Sequence, residues 1–153
     1  MAVKVGDRAP DFTLPSSSGA NVSLADFIGK KPIVLYFYPK DETPGCTAQA
    51  CTFRDEYAVF QDLGAEVLGV SSDSVEAHKK FIANHRLPFQ LLSDTAAQLR
   101  KLYGVPATLG ILPGRVTYII DQAGIVRHIF NSQMNFKGHI EEAIGALKQL
   151  QTA

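Results

Sequence analysis

Both cysteines of the chain, Cys46 and Cys51, lie in the stretch YPKDETPGCTAQAC, five positions apart. Such a pair can fill space in a core, hold a metal, or form a reactive thiol and its partner. A metal site is the poorest match. There is no Cys-x-x-Cys, and His78, His85, His128 and His139 show no ligand spacing with the cysteines. The four histidines read as surface groups, and Asp41 and Glu42 as solvated loop carboxylates. A reactive thiol must be available as thiolate, the nucleophilic form. Cys46 stands where a helix begins, and a helix N-terminus offers unpaired N–H donors and partial positive charge, which favour an anion. Thr43, three residues earlier, is placed to hydrogen-bond the sulfur or an oxygen bound beside it. Pro39 and Pro44 stiffen the loop and shield the thiol from bulk water.

The elements that must position this segment are legible in the pattern of apolar residues. Residues 32–38, PIVLYFY, form a near-continuous β-branched and aromatic run, as expected of a strand buried on both faces. Phe53, Tyr57 and Phe60 recur at helical spacing and Gly64 supplies a stop, so one helix is expected over 46–63. The alternation then repeats. A strand over 65–71 leads to a helix opened by Asp73-x-x-Glu76 as a capping box and running to about Asn84. A strand over 89–92 leads to a short helix opened by Thr95-x-x-Gln98 and ending near Gly104. Strands over 116–120 and 125–130 are joined by a hairpin, and a last helix covers 136–150. Short strands over 11–14 and 21–24 flank a turn at the N-terminus. Strand–helix alternation closing on a hairpin and a helix predicts an α/β fold with a mixed central sheet flanked by helices and an N-terminal strand or hairpin extension.

The 153 residues, with no repeat, linker or low-complexity run, read as a single domain over 1–153. An apolar share of 46%, a charged share of 20% and zero formal net charge describe an ordinary globular composition. Lys and Arg are scattered, which argues against nucleic acid or an anionic membrane as partner. No apolar run approaches the roughly 20 residues that span a bilayer. The N-terminus lacks the features of a signal or transit peptide, so the expected location is cytoplasmic, with the plastid as the alternative if a transit peptide has been removed. Two cysteines are too few for a disulfide-stapled scaffold, and in a reducing compartment such a pair is more often catalytic, redox-active or metal-binding.

Pro39-x-x-x-Thr43-x-x-Cys46 resembles the active-site signature of the peroxiredoxins. With Cys51 inside TPGCTAQAC, the segment is similar to the peroxiredoxin Q subfamily, also called bacterioferritin comigratory proteins. The likeness runs from GDRAPDFTLP to LPGRVTYIID, nearly the whole chain. The resemblance implies a thioredoxin-like fold and a thiol-dependent peroxidase acting on hydrogen peroxide and organic hydroperoxides in antioxidant defence. It implies Cys46 as the peroxidatic cysteine, Cys51 as the resolving one that forms an intramolecular disulfide with it, and Arg115 as the active-site arginine, beside Thr43 and Pro39. It implies re-reduction by thioredoxin or a similar dithiol protein, a monomer, and no metal, flavin or haem cofactor.

Two other functions share parts of this pattern. A thioredoxin-like reductase also puts a cysteine between strand and helix, but it wants the second cysteine at 49, which is Gln49. A redox-sensing or chaperone module would use the same pair as a switch and consume peroxide stoichiometrically. Helix geometry adds a constraint on all of them. Two residues five apart on a regular helix have Cα atoms roughly 8.7 Å apart, whereas a disulfide needs about 4.4 to 6.8 Å.

Overall fold

The computed structural model describes residues 2–108 and 112–152. Strands β1 (Thr13–Pro15) and β2 (Asn21–Ser23) pair antiparallel as the expected N-terminal hairpin, and a single 3-10 turn, Leu24–Asp26, follows. Then come β3 (Ile33–Phe37), α1 (Pro44–Asp55), α2 (Tyr57–Asp62), β4 (Glu66–Ser71), α3 (Val75–His85), β5 (Gln90–Ser93) and α4 (Gln98–Tyr103). A two-residue pair, β6 (Ala107–Thr108) and β7 (Leu112–Pro113), precedes β8 (Val116–Ile120), β9 (Val126–Asn131) and α5 (Phe136–Thr152).

The main sheet has the order β5-β4-β3-β8-β9. β3 is its centre, parallel to β4 and antiparallel to β8, so the sheet is mixed as expected. Every residue of β3 is buried, and its side chains alternate between two cores because a strand has a period of two. Val34 and Tyr36 point to the face covered by α1, α2, α3 and α5, where they meet Cys46, Ala50, Phe53, Phe60, Phe81 and Ile140. Ile33, Leu35 and Phe37 point to the other face, against Phe12, Leu24, Leu99 and Tyr103. Tyr36 stacks on Phe53 with ring centroids 4.5 Å apart, which ties α1 to the central strand.

The structure departs from the sequence reading in five places. The helix expected over 46–63 is two helices, broken at Glu56 (φ −100°, ψ 7°). Asp73 does not cap α3: Ser74 does, accepting from the Ala77 N–H, while the Asp73 carboxylate accepts from Ser71 Oγ and Asp41 N. Thr95 does not open α4 either; the Asp94 carboxylate takes the N–H groups of Leu99 and Arg100. β6 and β7 are too short to leave a periodic signal. His78 and His139 are fully buried and Asp41 nearly so, contrary to the surface reading, because each is hydrogen-bonded on all sides that face the protein.

Candidate active site

β3 delivers the chain to the site and the turn after it aims the thiol. Tyr38 N donates to Val70 O, continuing the β3–β4 ladder by one residue. The half-buried Pro39 follows at a bend, and residues 40–43 close on themselves through a 2.9 Å hydrogen bond from Thr43 Oγ1 to Lys40 O. Pro44 then starts α1, where its fixed φ and missing N–H suit the first helical position. Cys46 thus lies in the first turn of α1, 1% exposed, on the side of the sheet that holds Tyr36 and Phe53.

Arg115 reaches the same point from the start of β8. Its Nη2 lies 3.4 Å from Cys46 Sγ and its Nη1 donates to Gln49 Oε1 at 2.5 Å. Nε donates to Gln133 O at 3.1 Å, and the guanidinium carbon sits 4.8 Å from the centre of the Phe136 ring. Three donors and one face of the guanidinium are therefore each assigned a partner, in a setting where Arg115 is 5% exposed. A planar cation fixed in this way stabilises negative charge on the sulfur and cannot be replaced by a point charge on a flexible stem. Gly45 makes the approach feasible. A Cβ there would lie 2.7 Å from Phe136 Cζ and 3.3 Å from Arg115 Nη2.

The remaining sequence-predicted residues divide. Cys51 is on the same helix, partly buried and unpaired, so both cysteines are free thiols in this structure. Thr43 is at the N-cap of α1, but its hydroxyl proton is committed to Lys40 O rather than to the sulfur. The hydroxyl oxygen keeps its acceptor capacity.

Several contributors escaped the sequence reading. Gln49, noticed only for not being a cysteine, is fully buried with its carbonyl on Arg115, and its Nε2 has no partner among the described residues. Phe136 backs the guanidinium. Arg100, also buried, donates through Nη2 to Tyr38 O and through Nη1 to Gly114 O, both at 2.8 Å, and so ties the residue before Pro39 to the residue before Arg115. Their only trace in the sequence is helical spacing from Cys46 to Gln49; the others are distant in the chain.

The electrostatics follow from burial. The Tyr36 phenol is held well above its ordinary value, first by burial and then by the negative charges of Cys46 and Asp41. His139, which contacts Thr117 and Ser132 beside the Arg115 segment, is pushed down to about 4, mainly by burial. Among the described residues one group could offer three metal-ligating atoms, Asp41, Asp73 and His78, and it includes neither cysteine.

Residues 5–129 match the model of the AhpC/TSA family. The chain belongs to this family. Its similar proteins include peroxiredoxin Q proteins. The chain is 51% identical over 149 residues to chloroplastic peroxiredoxin Q of Sedum lineare, covering 97% of this chain and 80% of that protein. It is 52% identical over 152 residues to the Gentiana triflora protein of the same name, covering 99% and 68%. Among solved structures, a cysteine-to-serine mutant of Xylella fastidiosa PrxQ superposes with a TM-score of 0.90 at 31% identity, covering 99% of both chains. The peroxidoxin BcpB of Mycobacterium tuberculosis gives 0.89 at 34%, covering 97% of this chain and 98% of that one. The thioredoxin-like fold expected from the signature is thus the fold observed, and membership of a family of thiol-dependent peroxidases makes the chain an oxidoreductase.

Proposed function

We propose that the chain is a peroxidase in which Cys46 is the peroxidatic thiolate, Cys51 the resolving thiol, and Arg115, Thr43 and Pro39 the groups that shape the site. The observation that carries this reading is the burial of Cys46 in the first turn of α1 with Arg115 Nη2 3.4 Å from its sulfur.

The thiolate attacks one peroxide oxygen, the O–O bond breaks, and the other oxygen leaves with the electron pair and takes a proton to become water or an alcohol. Arg115 holds the anion before attack and donates to the peroxide as charge moves onto oxygen. The Thr43 hydroxyl, its proton turned to Lys40 O, presents its lone pairs to the peroxide proton. The Cys46 sulfenic acid then condenses with the Cys51 thiol, forming the disulfide and releasing water. A dithiol protein of the thioredoxin kind returns both cysteines to thiols by exchange. Hydrogen peroxide and organic hydroperoxides both fit this chemistry, and alkyl peroxide reduction is an activity of a solved relative, the Xanthomonas campestris bacterioferritin comigratory protein.

Residues 1–153 act as one monomeric domain in this reading. A reducing compartment with a dithiol donor serves the cycle, whether cytoplasm or plastid; the chloroplastic relatives support the second. The test is peroxide consumption driven by a thioredoxin system, in the wild type and in Cys46→Ser. Turnover should be lost in the variant with the fold retained, since a serine hydroxyl is far too weakly acidic to supply the anion. Near-normal turnover in Cys46→Ser would sink the mechanism.

A further inference from the structure

His78 lies on α3, 32 residues beyond Cys46 in sequence, and is completely buried. Its two ring nitrogens face two acceptors: Nε2 is 2.9 Å from Leu92 O and Nδ1 is 2.7 Å from Asp41 Oδ2, with the Tyr38 hydroxyl farther off at 3.5 Å and its proton turned to Asp41 Oδ1. A carbonyl oxygen can only accept, and so can an ionised carboxylate. A neutral imidazole has one N–H and would leave its other lone pair against one of those oxygens. The other buried histidine shows the contrast. His139 Nε2 likewise faces a carbonyl, Ser132 O, but its Nδ1 faces the hydroxyl of Thr117, which can donate, so one ring proton suffices there.

The groups around Asp41 decide where the second proton near His78 sits. The Tyr38 hydroxyl, 2.5 Å from Asp41 Oδ1, donates to it, and burial keeps that phenol protonated. The Asp41 backbone N–H donates to Asp73 Oδ2, which adds a second carboxylate nearby. With Tyr38 donating to one oxygen of Asp41, the other oxygen and Leu92 O are both left as acceptors for the ring, and two acceptors call for a proton on each nitrogen. Asp41 itself belongs to the turn that leads from Pro39 through Thr43 to Cys46, so whatever holds Asp41 holds the presentation of the thiol.

We propose that His78 is a positioning residue for Cys46: a doubly protonated ring that grips Asp41 with one N–H, β5 with the other, and so keeps the 40–43 turn in the shape the reaction needs. This rests on the reading of Cys46 as the peroxidatic residue. Two substitutions separate the two bonds. Asparagine can place an amide nitrogen where Nδ1 stands, and glutamine where Nε2 stands, while both remove the ring.

The experiment measures the second-order rate of Cys46 oxidation by hydrogen peroxide, by quenched alkylation and mass, in wild type, His78→Asn and His78→Gln, with thermal unfolding of each. His78→Asn should stay within about threefold of wild type, and His78→Gln should lose about 10- to 100-fold, as for a small misplacement of a reacting group. The two variants should be destabilised alike. Equal rates in the two variants would reduce His78 to a packing residue. In the wild type, 15N spectra of the ring should show a proton on each nitrogen; a bare Nδ1 overturns the proposal even if neither variant folds. A wild type whose Cys46 resists peroxide while both ring nitrogens carry protons would instead refute the peroxidase reading and leave the proton assignment standing.

Discussion

The ring of Phe136 closes over Gly45, at a distance that leaves no room for a side chain: a Cβ on residue 45 would come within 2.7 Å of Phe136 Cζ. The same ring backs the Arg115 guanidinium. The residue before the thiol and the cation that faces the thiol are therefore registered against one aromatic plate from α5.

Gly45→Ala should on this account cost activity although alanine is the better helix former by about 1 kcal/mol. The added methyl must push Phe136 or Arg115 aside, which costs about 1–3 kcal/mol as overpacking and moves the guanidinium off the sulfur. Peroxide oxidation of Cys46 should slow by about tenfold or more. A second substitution, Phe136→Leu, should recover part of it. Wild-type rates in Gly45→Ala alone would contradict the account.

Arg115→Ala should slow the oxidation of Cys46 and shrink the thiolate absorbance at neutral pH. Arg115→Lys should restore only a part, because an ammonium cannot serve Gln49, Gln133 and the sulfur at once as the guanidinium does. Unchanged thiolate and unchanged rate in both variants would make Arg115 a structural residue.

Because Cys46 and Cys51 share α1, their disulfide requires the helix to open. On a regular helix their Cα atoms are roughly 8.7 Å apart, beyond the reach of the bond. Residues 43–52 should unravel on oxidation, between the turn tied by Asp41 and the break at Glu56. Amide exchange over this stretch should be markedly faster in the oxidised protein than in the reduced one. Equal protection with the bond confirmed by mass would require a different geometry.

His139 makes stability depend on pH. Its folded value of about 4 lies below the ordinary 6.5, chiefly from burial, so between these values the unfolded chain binds the extra proton. Its contribution is complete above 6.5 and is lost as pH falls towards 4, a change of about 3 kcal/mol for a shift of this size. Denaturant titrations at several pH values should show that slope, and His139→Gln should flatten it. An identical pH profile in the variant would show that His139 titrates alike in both states.

The reach of the sequence is clearest at the two ends of this site. The strand before Cys46 was legible because it depends on local pattern, seven apolar residues in a row, whereas the aromatics at helical spacing run across the break between α1 and α2. The turn from Pro39 through Thr43 to Cys46 was legible for the same reason, since it is closed within eight residues. Arg115 was reached only through its likeness to a known signature; nothing local distinguishes it from a surface arginine. Phe136, Arg100 and His78 carried no local mark, and Gln49 only its helical spacing from Cys46, since each acts on a partner supplied by another element. The break at Glu56 has no proline or glycine to announce it. Burial is likewise decided by tertiary structure. A histidine or an aspartate is stable inside only when acceptors and donors from other elements meet it, and the pairings His78–Asp41 and His139–Thr117 exist only once α3 and α5 have docked on the sheet. Local pattern determined where the Cys46 thiol sits in the chain's elements; packing of distant segments decided what surrounds it.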